Sequence, residues 1–264
     1  MSMPFPGGHR FLWCRKLSRA LPATIAVIAL LLIWETYARV SGIRPTTLPA
    51  PSRIAVQAWI NREALISNTI PTIKATLFGF ALSLMAAFVL SVVLDFSRLM
   101  RQALVPLFII SQTLPLVAIA PLVVLWFGFG LMPKILLVAL VTFFPMLVAW
   151  LRGYGASEQE IEDLLYSMGA SRFGVFFRAR LPAALPYFFA GFRISITYAV
   201  VGAIFAEYAG AAHGLGIYIL NAKNSFRPDL VLAAVFISAA LTLTLFGLTV
   251  LIERLFVRWR PVND

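Results

Sequence analysis

The sequence is poor in cysteine, histidine and acidic side chains. Its 264 residues include one cysteine, two histidines and eleven aspartates and glutamates. A single cysteine, Cys14, excludes an intramolecular disulfide and a cysteine-based metal cluster. The chain has only two histidines, His9 and His213, so we expect no metal site on it.

Charged residues of both signs are scarce as well. They make up 12% of the chain, 61% is hydrophobic, and the mean hydropathy is +0.89. Soluble domains carry about a quarter charged residues, so the composition predicts a membrane protein. The net charge of +11 comes mostly from Lys and Arg that flank apolar runs. Such residues orient a protein in the bilayer, so we expect lipid as a partner and no nucleic acid.

The motifs of nucleotide binding and hydrolysis are also missing. There is no GxxxxGK[ST] phosphate loop, no GxGxxG, no HExxH and no GxSxG. The nucleotide-binding, metal-binding and nucleophile sites that these motifs form are therefore not expected. We expect a chain that is not an enzyme and holds no cofactor of its own. A membrane-embedded enzyme would need His, Asp or Glu clustered at one depth, and these residues are too few and too scattered.

What the sequence does have is a series of long apolar segments. A spanning helix needs about 20 mainly apolar residues, and six segments reach that length: about Leu21–Val40, Pro71–Leu94, Ala103–Phe127, Met132–Leu151, Ala183–Tyr208 and Leu230–Ile252. A signal peptide is the alternative for the first, but its length and the lack of a cleavage pattern favour an uncleaved anchor. We therefore expect an all-α membrane protein with six transmembrane helices.

The basic residues are unevenly divided between the two sides of these spans. More of them lie on the side of the two termini, and of the segments after the second and fourth spans, than on the other side. Cytoplasmic loops carry the excess of Lys and Arg. We therefore predict that residues 1–20 form a cytoplasmic segment ahead of a membrane domain over 21–264, with both termini and the loop at about 152–182 in the cytoplasm.

Small residues and prolines distinguish three of the spans. Two spans carry a small residue at every fourth position, Gly79, Ser83, Ala87 and Ser91 in one and Gly191, Ser195, Ala199 and Ala203 in the other. This spacing favours close helix packing, with a substrate-lining role as the alternative. In the third span Pro106, Pro115 and Pro121 predict a kink. Carbonyls freed at membrane depth need protein or water around them, so the kink either faces a pathway, with Gln112 and Thr113, or packs against neighbours.

Two ionisable residues fall within the fifth span. Arg193 lies about ten residues into it, and Glu207 lies near its outer end on the face of the small residues. Charges inside a membrane are costly and mark functional positions, so both join Gln112 and Thr113 as pathway candidates. The alternatives are that Arg193 snorkels or binds helix carbonyls, and that Glu207 is an interfacial residue.

A charged segment, Glu160–Pro182, interrupts the apolar sequence between the fourth and fifth spans, and we call it the charged island. Its apolar residues have the spacing of one face of a short helix: Ile161, Leu164, Leu165 and Met168. Acidic residues enrich the beginning of this helix, Gly169 ends it, and Ser171 caps a second short helix, Arg172–Arg180. The island is either a loop on the membrane surface or a helix whose apolar face docks in a groove of another protein.

The island resembles the cytoplasmic coupling loop of the permeases of binding-protein-dependent ABC importers. That signature is Glu-Ala-Ala, three residues, Gly, nine residues, Ile, one residue and Leu-Pro. Gly169 matches the glycine, and Leu181-Pro182 close the motif at the required distance. Residues 163–165, Asp-Leu-Leu, stand where Glu-Ala-Ala would be, and Ala179 replaces the isoleucine.

Three further stretches, "TLPAPSRI", "PLVVLWFGFG" and "AEYAGAAHGLGIYI", resemble the nitrate, sulfonate and taurine group of these permeases. The resemblance implies a type I ABC importer permease fold in the bacterial inner membrane, built as a homodimer. It also implies two cytoplasmic ATPase subunits, which hold ATP and Mg, and an extracytoplasmic substrate-binding protein. The coupling residues it implies are Asp163, Leu164, Leu165, Met168, Gly169, Ala170, Ser171 and Arg172.

The substrate is the least determined feature, because the binding protein supplies most of the selectivity in this family. "SQTLPLVAIAPLVVLWFGFG" is similar to the vitamin-precursor branch, so we expect a thiamine-pyrimidine precursor or a related vitamin precursor. Sulfonate, taurine or nitrate is the alternative. An ion-coupled secondary transporter, the alternative of a different class, would have inverted repeats and paired intramembrane carboxylates, and the sequence has neither.

Overall fold

The structure is a computed structural model that describes the backbone of residues 8–256 and the side chains of residues 21, 22 and 24–256. Within these residues the protein is all-α, without a strand. The helices are α1 Gly8–Val40, α2 Pro51–Ile60, α3 Arg62–Phe96, α4 Arg98–Thr113, α5 Leu116–Phe127, α6 Leu131–Tyr154, α7 Gln159–Ser167, α8 Arg172–Val175, α9 Leu181–Tyr208, α10 Leu215–Asn224 and α11 Pro228–Phe256. A π-helical turn, Phe176–Arg180, joins α8 to α9.

Four helical segments are long and apolar enough to cross a membrane: α3, α6, the run Arg172–Tyr208 that ends with α9, and α11. The pair α4 and α5 meets the same criterion when the two helices are taken together, so the described residues contain up to five spans if this pair counts as one. The predicted segment 1–20, with Cys14 and His9, lies outside the described side chains. The predicted span 21–40 falls on α1, and the count of six spans stays a prediction.

The second, fourth, fifth and sixth predicted spans lie inside α3, α6, α9 and α11. The observed helices extend beyond the apolar stretches, most clearly in α3, which begins nine residues before Pro71. Helical hydrogen bonding does not need apolar side chains, so a helix continues into polar sequence at either end of a span.

The third predicted span is not one helix. It breaks after Thr113, and the axes of α4 and α5 differ in direction by 100°. Pro115 has no N–H to donate and disfavours the helical conformation of the residue before it, and Leu114 has an extended ψ of 127°. Pro106 and Pro121 remain inside helices. The predicted kink is therefore at Pro115, and it is a complete break.

The small-residue stripes bring helices into close contact. A Cβ on Gly79 of α3 would lie 2.6 Å from the Cβ of Val138 in α6, and one on Gly191 of α9 would overlap Ala149 of α6. The other members of both stripes are buried, and Ser195 donates a hydrogen bond to the Thr142 carbonyl at 3.1 Å. In this structure the stripes pack α3 and α9 against α6, as the packing interpretation predicts.

The chain divides into two compact units, Met1–Asn61 with Ala222–Ala233, and Arg62–Asn221 with Ala234–Asp264. In the first unit, Glu35 of α1 accepts hydrogen bonds from the backbone N–H and the hydroxyl of Ser52 in α2, at 3.0 and 2.7 Å. The second unit contains α3 to α9 and the charged island.

Candidate functional site

The charged island folds as a short helix and a tight turn, as predicted. Helix α7 ends in a turn in which Gly169 has a φ of +81°, a conformation that glycine adopts without a Cβ clash. The Gly169 N–H donates to the Tyr166 carbonyl, and the Ala170 N–H donates to the Leu165 carbonyl, both at 2.9 Å. These two bonds satisfy carbonyls that the end of the helix leaves free.

The second predicted helix of the island, Arg172–Arg180, is only partly correct. Ser171 caps α8, because its hydroxyl accepts a hydrogen bond from the Gly174 N–H at 3.2 Å. Helix α8 then continues through the π-helical turn into α9 without a separate end. Pro182 has no N–H to donate to the carbonyl four residues before it, and the wider turn lies over that position.

The apolar side of α7 is turned away from the protein. Ile161, Leu164 and Met168 are 45%, 60% and 75% exposed, and no residue of α7 is buried. Exposed apolar side chains at adjacent positions of one helix are typical of a surface that contacts another protein or a membrane. Most of the remaining predicted coupling residues are exposed as well, whereas two are half-buried: Asp163, Gly169, Ser171 and Arg172 belong to the first set, and Leu165 and Ala170 to the second.

The side of α7 that faces the protein is held by ion pairs. Arg180 of the π-helical turn donates two hydrogen bonds to the Glu162 carboxylate of α7, from Nε at 3.0 Å and from Nη2 at 2.7 Å. Its Nη1 donates to Asp95 Oδ2, at the end of α3, at 3.0 Å. The hydrogen-bonded guanidinium lowers the pKa of Glu162 below its usual value. We call these three residues the ion triad.

An aromatic cluster lies beside the ion triad. Phe96, next to Asp95, stacks on Phe173 of α8 with ring centroids 4.7 Å apart. Phe176, which is fully buried, packs against Phe96 at 5.4 Å and against Tyr154 at 5.1 Å. Such contacts add about 0.5–1.5 kcal/mol each beyond simple burial, so the base of the island is fixed to the ends of α3 and α6.

A second polar cluster lies at the other end of α9, around Glu207. This residue has no exposed surface, and its carboxylate accepts hydrogen bonds from the Thr72 hydroxyl at 2.8 Å and from the Gly216 N–H at 2.7 Å. Lys134 Nζ lies 3.9 Å from Glu207 Oε1 and donates to the His213 carbonyl at 2.9 Å. We call this set the outer cluster.

The outer cluster holds the glycine-rich segment between α9 and α10. Gly214 has a φ of +143°, and a Cβ there would overlap the Glu207 carboxylate. Its N–H donates to the Asn68 side chain at 2.9 Å, and the Leu215 N–H donates to the Thr72 hydroxyl at 2.9 Å. Glycine is therefore required where the segment crosses Glu207.

The four predicted pathway residues do not form one site. Gln112 and Thr113 are exposed at the end of α4, beside the break. Arg193 Nη1 lies 3.4 Å from Glu253 Oε2 of α11, and Glu207 belongs to the outer cluster. No hydrogen bond links any two of the four in the described part of the chain, and their role in a pathway stays a prediction.

The sequence alone did not predict the partner residues of the ion triad or of the outer cluster. Asp95, Glu162 and Arg180 are far apart in sequence and follow no shared period, and Thr72 is one of several hydroxyl residues in its span. Lys134 carried a signal, since it stands a few residues inside an apolar segment. Among the described residues, no group of three His, Cys, Asp or Glu side chains could hold a metal ion.

Comparisons with known proteins assign this chain to a family. Residues 79–258 match the binding-protein-dependent transport system inner membrane component. The chain is 34% identical to the formylaminopyrimidine transport permease protein ThiX of Halalkalibacterium halodurans, over 92% of this chain and 97% of the relative. It is 36% identical to the riboflavin transport system permease protein RibX of Chloroflexus aurantiacus, over 95% and 92%. Identity to the taurine transport system permease protein TauC of Escherichia coli is 31%, over 94% and 93%.

Solved structures show the same fold at low sequence identity. The TM-score is 0.61 at 17% identity to an amino acid ABC transporter chain, covering 75% of this chain and 97% of that one. It is 0.60 at 16% identity to a bacterial ABC transporter involved in alginate import, covering 94% and 96%. The chain therefore belongs to the family of binding-protein-dependent transport system inner membrane components, the permeases of ABC importers.

Proposed function

We propose that two copies of this chain form the pathway of an importer and that α7 of each copy docks on a cytoplasmic ATPase subunit. The observation that carries the docking proposal is the exposed apolar face of Ile161, Leu164 and Met168. An amphipathic helix binds a groove through apolar residues at this spacing. A loop lying on the membrane surface, the alternative interpretation, would expose the same face to lipid, and binding of the ATPase distinguishes the two.

The chemistry of ATP hydrolysis belongs to the partner. This chain has no phosphate loop, so the ATPase supplies the site for ATP and Mg, and the permease has no enzymatic activity or cofactor of its own. Closure of the two ATPase subunits displaces α7. The movement passes to α9, because the chain is helical from Arg172 to Tyr208 apart from the π-helical turn.

The proposed orientation places both termini and the island in the cytoplasm of a bacterium, with the chain in the inner membrane. It rests on the excess of Lys and Arg on that side. The outer cluster then lies near the opposite face, where an extracytoplasmic binding protein delivers the solute. The glycine-rich segment held by Glu207 is positioned there to meet it.

The pathway candidates support a route beside the break between α4 and α5. Gln112 and Thr113 are exposed polar residues at the end of α4, and the predicted span around them is apolar apart from the neighbouring Ser111. An irregular backbone at membrane depth needs protein or a water-filled cavity around it. We propose that these two residues line the route, that Arg193 with Glu253 borders it, and that Glu207 supports its outer end.

We propose a thiamine-pyrimidine precursor, or a related vitamin precursor, as the transported solute. Two relatives at 34% and 36% identity are named for transport of formylaminopyrimidine and riboflavin. Taurine, a sulfonate or nitrate is the second candidate, supported by the relatives that are named for these solutes.

The experiment is reconstitution of the chain in liposomes with an ATPase and a binding protein of the same cell. Uptake should require ATP and the binding protein, and the complex should have the mass of two permeases and two ATPases. Uptake of labelled formylaminopyrimidine in preference to taurine supports the vitamin-precursor assignment. Uptake by the chain alone, driven by an ion gradient, would sink the proposal in favour of secondary transport.

A further inference from the structure

We propose that Arg180 is a positioning residue that holds α7 with its apolar face toward the ATPase, through the ion triad with Glu162 and Asp95. The inference rests on the proposed function, because it concerns the presentation of the docking face. It adds residues that do not touch the partner themselves.

The geometry of the ion triad fixes the rotation of α7. Two parallel hydrogen bonds from a planar guanidinium, at 2.7 and 3.0 Å, allow the Glu162 carboxylate one orientation. The third bond, to Asp95 at 3.0 Å, ties the same guanidinium to the end of α3. The three side chains are 31%, 12% and 9% exposed for Arg180, Glu162 and Asp95, so solvent screens these bonds less than it screens a surface pair.

Helix α7 turns one of its three acids toward the protein and leaves apolar side chains exposed. Glu162 faces the other helices, whereas Ile161, Leu164 and Met168 face away. The other two acids, Glu160 and Asp163, are exposed as well. Without the bonds to Arg180, rotation of α7 toward the membrane or the rest of the protein would bury its apolar side chains, which is favourable in free energy. The ion triad opposes that roll, because a roll would separate a partly buried Glu162 from its partner.

The chain offers a matched control for each partner. Glu160 is an exposed acid of α7 two positions from Glu162, and Arg178 is an exposed arginine two positions from Arg180. Neither side chain makes a hydrogen bond or ion pair with another described residue. Their replacement changes the local charge as much as the test variants do and leaves the ion triad intact.

The test measures the Kd of the full chain, in lipid nanodiscs, for its purified ATPase. Arg180→Gln and Glu162→Gln should each weaken binding about tenfold, since the docking orientation is then one state among several. The double variant should be no weaker than the single ones, because each single change already breaks the same bond. Glu160→Gln and Arg178→Gln should stay within about twofold of the unchanged chain.

A second readout separates positioning from direct docking. ATP-driven uptake by Arg180→Gln and Glu162→Gln should recover when the ATPase is in large excess, because the docking face itself is unchanged. Unchanged Kd values in both variants, equal losses in the two controls, or failure to recover at saturating ATPase would each overturn the inference. If Arg180→Gln does not accumulate, Glu162→Gln decides by the same measurements, because it leaves the Arg180–Asp95 pair in place. An unchanged chain that binds no ATPase refutes the proposed function itself, before any variant is compared.

Discussion

Thr72 and Glu207 are 135 positions apart in sequence, and the Thr72 hydroxyl lies 2.8 Å from the Glu207 carboxylate. The same hydroxyl accepts a hydrogen bond from the Leu215 N–H at 2.9 Å. One threonine of α3 therefore connects the end of α9 to the beginning of α10. This arrangement makes Glu207 the support of a backbone segment, in a place where the proposed orientation puts the binding protein.

Glu207→Gln should lower transport strongly while the protein still inserts. Glutamine replaces an acceptor oxygen by a donor group that faces the Gly216 N–H or Thr72, so one buried polar group loses its partner at a cost of about 1–3 kcal/mol. Uptake and the amount of protein in the membrane are the two measurements. Glu63→Gln, at an exposed position of α3, is the control. Unchanged uptake would leave Glu207 without a functional role.

Leu164→Glu should abolish ATPase binding without affecting insertion. Leu164 is 60% exposed, so the change costs the isolated permease little, but docking would bury an unpaired charge. That burial costs several kcal/mol, and each 1.4 kcal/mol weakens binding tenfold. Leu164→Met, which keeps the side chain apolar, should bind normally. Full ATPase recruitment by Leu164→Glu in a pull-down would show that α7 is not the docking helix.

Gly169→Val should strain the turn after α7. The Gly169 φ of +81° costs a residue with a Cβ about 1–2 kcal/mol, and no atom lies within 4 Å of the added Cβ, so the backbone alone is responsible. We expect weaker ATPase binding and lower ATPase activity in the presence of the binding protein. Gly169→Asn, which tolerates this conformation better, should lose less. Equal losses for the two variants would contradict a backbone origin.

Lowering the pH should weaken the attachment of α7 to Arg180, because Glu162 becomes protonated. Its pKa in the folded protein lies below the usual value because Arg180 donates to the charged form. Because the pKa is lowered, the bond from Arg180 to the charged Glu162 contributes its full stability above the ordinary glutamate pKa of about 4.3. This contribution is lost as the pH falls through the pKa of Glu162 in the folded protein. ATPase affinity should therefore fall in this acidic range, and Glu162→Gln should remove that part of the pH dependence. The same acid response in Glu162→Gln would assign the effect to another group.

Labelling of single cysteines should place the island and the segment before α11 on opposite sides. In a chain with Cys14→Ser, cysteine in place of Ala156 should react with an impermeant reagent only from the cytoplasm, and cysteine in place of Ser225 only from outside. Both positions are exposed, so failure to react would not come from burial in the chain itself. Labelling of both from one side would contradict the proposed topology.

The sequence by itself determined the local features of this protein. Apolar length is set by the thickness of a bilayer, so four predicted spans lie inside observed helices. The turn at Gly169, the cap at Ser171 and the common face of the apolar residues of α7 depend on chirality, on one side-chain oxygen and on helical spacing. These effects all act within a few residues of the chain, so the local sequence pattern predicts them.

The tertiary structure alone decided which distant residues meet. Arg180 lies between Glu162 and Asp95 because the π-helical turn packs beside α7 and the end of α3. Glu207 reaches Thr72 because α9 packs against α3. The three prolines of the third span predicted a kink, but neither its place at Pro115 nor its angle of 100°, because the packing of neighbouring helices decides both. A charge in an apolar sequence marks a site, but its partner depends on how the helices pack, and no short-range pattern records that.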